Sequence, residues 1–241
     1  MKYMRFVVPV GLAAAVAIVV AVNFGGGGLS ADEVLADAAN SGETITSVRY
    51  TIDGTEWNGD EGDREAHAEA AIEAGAGISQ RTTWSDGEFE EQIVIGTTRY
   101  SRNDPDGDWD VGTNADVALT SLADVVRRHA QRSFGEARIV GEERIDGTET
   151  IHISVETDMT AKATHIWGTS TPPGGEIPRQ QFESGEQTIE YWVGKQDDIV
   201  RRIGITEEFP GVGSEPAYGS SYEINFHDFN NAKVEAPDVG S

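Results

Sequence analysis

The chain has 241 residues, 38% of them apolar, which after a separate first segment leaves one packed domain of roughly 200 residues. It carries 42 acidic against 18 basic residues, a net charge of −24, and such a surface repels phosphate backbones and excludes a nucleic-acid partner. Cysteine is absent, which excludes disulfides, thiolate metal sites and a lipid-modified cysteine.

Lys2 and Arg5 precede Phe6–Phe24, a run of 19 residues without a charge. At 1.5 Å per residue it spans roughly 28 Å as a helix, about the hydrocarbon thickness of a bilayer. A cleavable signal peptide has a shorter apolar core and a small-residue cleavage site. This run ends in Asn23-Phe24, so it reads as an uncleaved transmembrane anchor rather than a signal peptide. The positive-inside rule puts residues 1–5 in the cytoplasm and the acidic domain outside, as a single-pass protein of the cell envelope. Gly25–Gly28 is a flexible linker, and residues 29–241 form the extracytoplasmic domain.

Ser30–Glu33 matches a capping box, with Leu29 as its staple residue. Val34, Leu35, Ala38 and Ala39 give the following short helix an apolar stripe, and Asn40-Ser41-Gly42 stops it. Thr44–Trp57 is the first strand, with Val48, Tyr50 and Ile52 on one face. Ala66–Ala74 alternates strictly and reads as a strand in spite of its alanines. Ile78–Ser85 and Glu88–Ile95 follow around a Ser85-Asp86-Gly87 turn. Thr97–Arg102 completes a hairpin, the Asn103–Asp108 turn follows, and Trp109 anchors a third short strand.

Asn114–Arg132 is a helix with Val117, Leu122, Val125, Val126 and Ala130 on or near one face. Ala137–Arg144 and Glu149–Thr157 flank an Asp146-Gly147 turn, with Ile151, Ile153 and Val155 facing one way. Thr160–Ser184 reads as an irregular lid or binding loop, because Pro172-Pro173-Gly174-Gly175 forbids a continuous helix or central strand. It carries Trp167 and Phe182 as apolar anchors. Gln187–Val193 and Ile199–Glu208 form another hairpin. Ser220–Phe229 is the last long strand, with Tyr222, Ile224 and Phe226 on one face, and Lys233–Pro237 is an extended tail.

About ten strands joined mostly by short turns make an antiparallel sheet. The fold class is mainly β (α+β). One large curved sheet forms an incompletely closed barrel, with two or three helices packed in its concave mouth. Its apolar face is the candidate ligand site. Val48, Tyr50, Ile52, Trp84, Ile93, Ile95 and Tyr100 come from the first half. Ile151, Ile153, Val155, Trp167, Phe182, Ile189, Tyr191, Ile203, Ile205, Tyr222, Ile224 and Phe226 come from the second.

That outline and several local motifs resemble the LolA/LppX-like superfamily of periplasmic lipoprotein and lipid carriers. Leu35 with Ser47-Val48-Arg49-Tyr50 is similar to its helix-to-strand start. Ile93–Trp109 resembles its hairpin with a tyrosine and a D-G-x-W turn. Val140-Gly141-Glu142 with Asp146–Glu149, Ile189–Ile203, and Asp228-Phe229-Asn230 with Val234–Pro237 resemble its later segments. The resemblance covers most of Leu29–Pro237. It implies a half-barrel whose apolar cavity holds acyl chains, with a lipid or lipidated protein as partner, no cofactor, no metal and no catalysed reaction. The lipid-modified cysteine of the lipoprotein members is missing here, and the apolar anchor would replace it.

Other chemistries are poorly supported. In Asp104–Asp110 the sixth position of a calcium loop would be Trp109 and the twelfth Ala115, so the segment reads as a hairpin turn. The five histidines show no i, i+4 pair, and His152 and His227 read as outward-facing strand residues. Neither a nucleophile elbow nor a phosphate loop is present. The expected function is a membrane-anchored binding protein for an acyl chain or other apolar ligand. The alternative is an envelope sensor or regulatory module that binds a membrane protein partner.

Overall fold

The structure is a computed structural model that describes residues 30–59, 62–113, 135–168, 176–213 and 215–239. The anchor 6–24, the glycine linker 25–28 and the helix 114–132 lie outside the described residues. Among the described residues, no helix is long and apolar enough to cross a membrane.

Helix α1, Ala31–Gly42, starts where its capping box predicts. The Glu33 amide donates to Ser30 Oγ at 3.2 Å, and the Ser30 amide donates to Glu33 Oε2 at 2.9 Å. This satisfies two amide groups that a helix start leaves without partners. The apolar stripe of Val34, Leu35 and Ala38 is buried.

The strands are β1 (Ser47–Asn58), β2 (Asp63–Glu73), β3 (Gly77–Trp84), β4 (Phe89–Ile95), β5 (Thr98–Arg102), β6 (Asp110–Thr113), β7 (Ala137–Ile145), β8 (Thr148–Glu156), β9 (Glu186–Gly194), β10 (Val200–Phe209) and β11 (Tyr218–His227). They form one antiparallel sheet in the order β6-β5-β4-β3-β2-β1-β11-β10-β9-β8-β7. β6 and β7 are its two edges, so the sheet is not closed, as in a half-barrel. Ala66–Ala74 does form a strand: its small side chains pack against β1 with Ala68 opposite Ile52 and Ala70 opposite Tyr50. Asp146 and Gly147 both have positive φ, 47° and 82°, which suits a two-residue hairpin turn.

Two meanders, β1–β6 and β7–β11, meet where β1 pairs with β11. Tyr50 lies opposite Phe226 and Ile52 opposite Ile224, with the rings of Tyr50 and Phe226 5.6 Å apart. Gly54 lies opposite Tyr222, whose ring crosses it. A Cβ on Gly54 would sit 2.1 Å from Tyr222 Cδ1. The Tyr222 hydroxyl donates to the Glu56 carboxylate on the same face.

Two expectations need correction. The stretch 160–184 is not irregular: it contains helix α2 (Met159–Trp167) and helix α3 (Glu176–Glu183). Asp158 caps α2 by accepting from the Ala161 amide at 2.9 Å, and Gly168 ends it at φ 60°. Pro178 stands in the first turn of α3, where a missing amide costs little. The Pro172–Gly175 run lies in the connection, outside the described residues. The last strand ends at His227 rather than Phe229, because Asp228 and Asn230 take positive φ and turn the chain.

The tail beyond that turn is a strap across the sheet. Asn230 Oδ1 accepts from the Thr46 amide at 2.7 Å, and the Ala232 amide donates to Ser47 Oγ at 3.0 Å. The Val234 amide donates to Glu73 at 2.9 Å. Ala232 and Val234 thereby cover Ala71 and Ile93 in a small second core. The Val234 amide, and after it Lys233, hold the Glu73 carboxyl below its ordinary value. A depressed carboxyl contributes its clasp above its ordinary value and loses it as pH falls through the lowered one. Glu73→Ala should therefore lower the hydrogen-exchange protection of the Val234 amide at neutral pH, and acid should do the same to the unaltered chain. Equal protection in both proteins at both pH values would show that the clasp does not hold the strap.

Candidate functional site

All three described helices lie on one face of the sheet. Alternation along the strands carries that face through Val48, Tyr50, Ile52, Ile153, Val155, Ile189, Tyr191, Ile203, Ile224 and Phe226, all buried in one cluster with Val34, Leu35 and Ala38 of α1. Ile151, Ile205 and Tyr222 are partly buried against it. Trp84 shares this face at its margin, opposite Ala66, with the Arg64 guanidinium 4.7 Å above its ring.

Ile93, Ile95 and Tyr100 do not join them. The register sets Ile93 against Ser79, and Val94 against Ile78, so it is Val94 that looks toward the helices. Ile93, Ile95 and Tyr100 belong to the second core under the C-terminal strap. Three consecutive apolar residues in β4 give both faces something to bury, and alternation alone cannot choose between them.

Trp167 and Phe182 come together at the other end of this face. Their rings meet edge to face at 5.1 Å. Phe182 then stacks on Phe209 at 5.7 Å, and Phe209 on Tyr218 at 4.6 Å. This aromatic ladder joins the helices to strands β10 and β11. Polar ties reinforce it. Lys162 Nζ donates to Gln187 Oε1 at 2.8 Å, Gln187 donates to Glu207, and Gln181 Nε2 donates to the carbonyls of Pro210 and Pro216 at 3.0 and 2.8 Å. Sequence reasoning missed Phe209, Tyr218, Lys162 and Gln181. An aromatic at each end of the Phe209–Tyr218 connection was the available signal. Ile166 and Ile177 remain exposed.

Two tyrosines stand in the apolar centre. Burial pushes the Tyr50 phenol up to about 12. Burial pushes Tyr191 up further, and its hydroxyl has no hydrogen-bond partner although the residue is 0% exposed. Among the described residues, no three His, Asp or Glu side chains gather as metal ligands. His152 lies on the opposite face, as alternation predicts, but it is largely covered rather than outward-facing. It stacks on Trp192 at 4.3 Å, between Glu143 at 3.1 Å and Glu190 at 3.0 Å.

The structure is similar to the crystal structure of LprF from Mycobacterium bovis, with 16% identity, 88% of this chain and 97% of that chain covered, and a TM-score of 0.50. It also overlays on the lipoprotein LppX of Mycobacterium tuberculosis (14% identity, 86% and 100% covered, TM-score 0.44). A LolA superfamily protein of Nitrosomonas europaea overlays at 8% identity, with 86% and 96% covered and a TM-score of 0.31. The fold is LprF-like. At such identity the likeness to LprF is one of fold alone, and the other two overlay too loosely to add to it. No family model and no curated protein matches the chain.

An unpartnered buried hydroxyl costs about 1–3 kcal/mol of desolvation. Tyr191→Phe removes that hydroxyl and keeps the ring. Denaturant unfolding should show stability unchanged or raised by roughly 1 kcal/mol. A loss of that size would mean that the hydroxyl has a partner in solution.

Proposed function

We propose that the chain holds an apolar ligand, an acyl chain of a lipid or of a lipidated protein, between the helix-bearing face of the sheet and the α2–α3 pair. The observation that carries this reading is the aromatic cover. Trp167 and Phe182 are only half-buried, and they close one end of a wide apolar face through a ladder of rings rather than a deep core. In the closed arrangement Ile153, Tyr191 and Ile203 are 0% exposed, in one cluster with Val34, Leu35 and Ala38 of α1, so uptake would require covering helices to lift from the sheet. Affinity would come from burial, at about 0.8 kcal/mol for each CH₂ taken from water. No acid, base or nucleophile takes part.

The LprF-like fold supports the same reading, because an open sheet with helices on one face can enclose a ligand without a closed barrel. Residues 6–24 would hold the domain at the outer side of a membrane, beside its ligand's source. Tethering would favour loading and release on that membrane over free travel between membranes.

Trp167→Ala in the full chain tests the cover. Binding of a fluorescent fatty acid should weaken several-fold, with thermal stability lowered only slightly. A static core residue would instead cost about 3–5 kcal/mol on truncation. A large loss of stability with unchanged probe affinity contradicts the proposal.

A further inference from the structure

A trough of about 680 Å³ lies on the other face of the sheet, away from the three described helices. It crosses six neighbouring strands, from β3 through β2, β1, β11 and β10 to β9. Its floor is built from short side chains, among them Thr55, Thr83, Gly204, Thr206 and Ser221. Into it look four carboxylates: Asp53, Glu65, Glu190 and Glu223. One guanidinium stands against them, Arg202, which lies 3.0 Å from Glu223 and 5.5 Å from the centre of the Trp192 ring. His67 bonds Asp53 at 2.6 Å. The Glu65 carboxylate makes no hydrogen bond or ion pair among the described residues.

We infer that this trough receives a basic, extended polypeptide segment whose Lys or Arg side chains meet those four carboxylates. Charge complementarity selects the occupant: four anions face one cation on a chain of net charge −24. The aromatic wall does not favour a sugar instead, because His152 already stacks on Trp192 at 4.3 Å. The dimensions suit an extended chain. Six strands at about 4.8 Å spacing span roughly 24 Å, which seven extended residues cover at about 3.3 Å each. An α-helix, about 10–12 Å across, would need a wider bed than one row of threonine, serine and glycine. The site is independent of the apolar-ligand reading, since the two use opposite faces.

The test is binding of a labelled hexa-arginine peptide to the full chain in neutral detergent. Three proteins are compared: the unaltered chain, the trough variant Asp53→Asn/Glu190→Gln/Glu223→Gln, and a control Asp106→Asn/Asp108→Asn/Glu235→Gln with the same change of charge elsewhere. The trough variant should bind at least about tenfold more weakly and the control less than about threefold more weakly, with binding that fades as salt rises. Glu65→Gln serves as a fourth protein, because its carboxylate supports no neighbour in the fold; it should weaken binding by about threefold on its own. Equal losses in trough variant and control would overturn the inference in favour of diffuse surface charge. So would an unchanged affinity in Glu65→Gln, or no binding to the unaltered chain at low salt.

Discussion

The pairing of β1 with β11 is the constraint on which the rest of the molecule depends. Every other neighbouring pair of strands in the sheet is consecutive in the chain, and all but β8 and β9, which α2 and α3 separate, are joined by short connections. This one brings together residues such as Glu56 and Tyr222, 166 apart in sequence. A contact of that separation costs loop-closure entropy before it returns any energy. The chain secures it with side chains that leave little choice of register. Gly54 makes room for the Tyr222 ring, and a one-residue slip would set a side chain against that ring and turn Tyr50 and Ile52 away from the core. The strap beyond β11 returns at once to Thr46, Ser47 and Glu73, so the same joint is fastened again on its far side.

That joint produces two faces with different chemistry. On one, the apolar residues of both meanders become continuous under α1, and the α2–α3 pair meets the sheet at Phe209. On the other, the short polar residues of β1–β3 meet those of β9–β11 and leave a trough walled by carboxylates. Neither surface exists in either meander alone. A ligand on the first face and a partner on the second would therefore share one folding unit without competing for space.

Most strands were legible because they bury chiefly one side, so the period of two is written plainly in Val48–Ile52 and Ile151–Val155. The capping box of α1 was legible because its reciprocal bonds are local. Faces were lost where both sides are apolar, as in Ile93-Val94-Ile95, since the choice there depends on what the strap covers. Helices α2 and α3 were hidden by prolines that break a helix only in its interior, while here they occupy the connection and a first turn. The trough could not be read at all. Its lining takes two or three residues from each of six strands, and only the register places them side by side.

The proposal that the helix-bearing face carries an apolar ligand is open to direct measurement. Native mass spectrometry of the full chain, purified from membranes in gentle detergent, tests it most directly. The expected result is a bound species of lipid mass that solvent extraction removes and that added fatty acid restores. A chain that emerges ligand-free and also fails to take up a fluorescent fatty acid would contradict it.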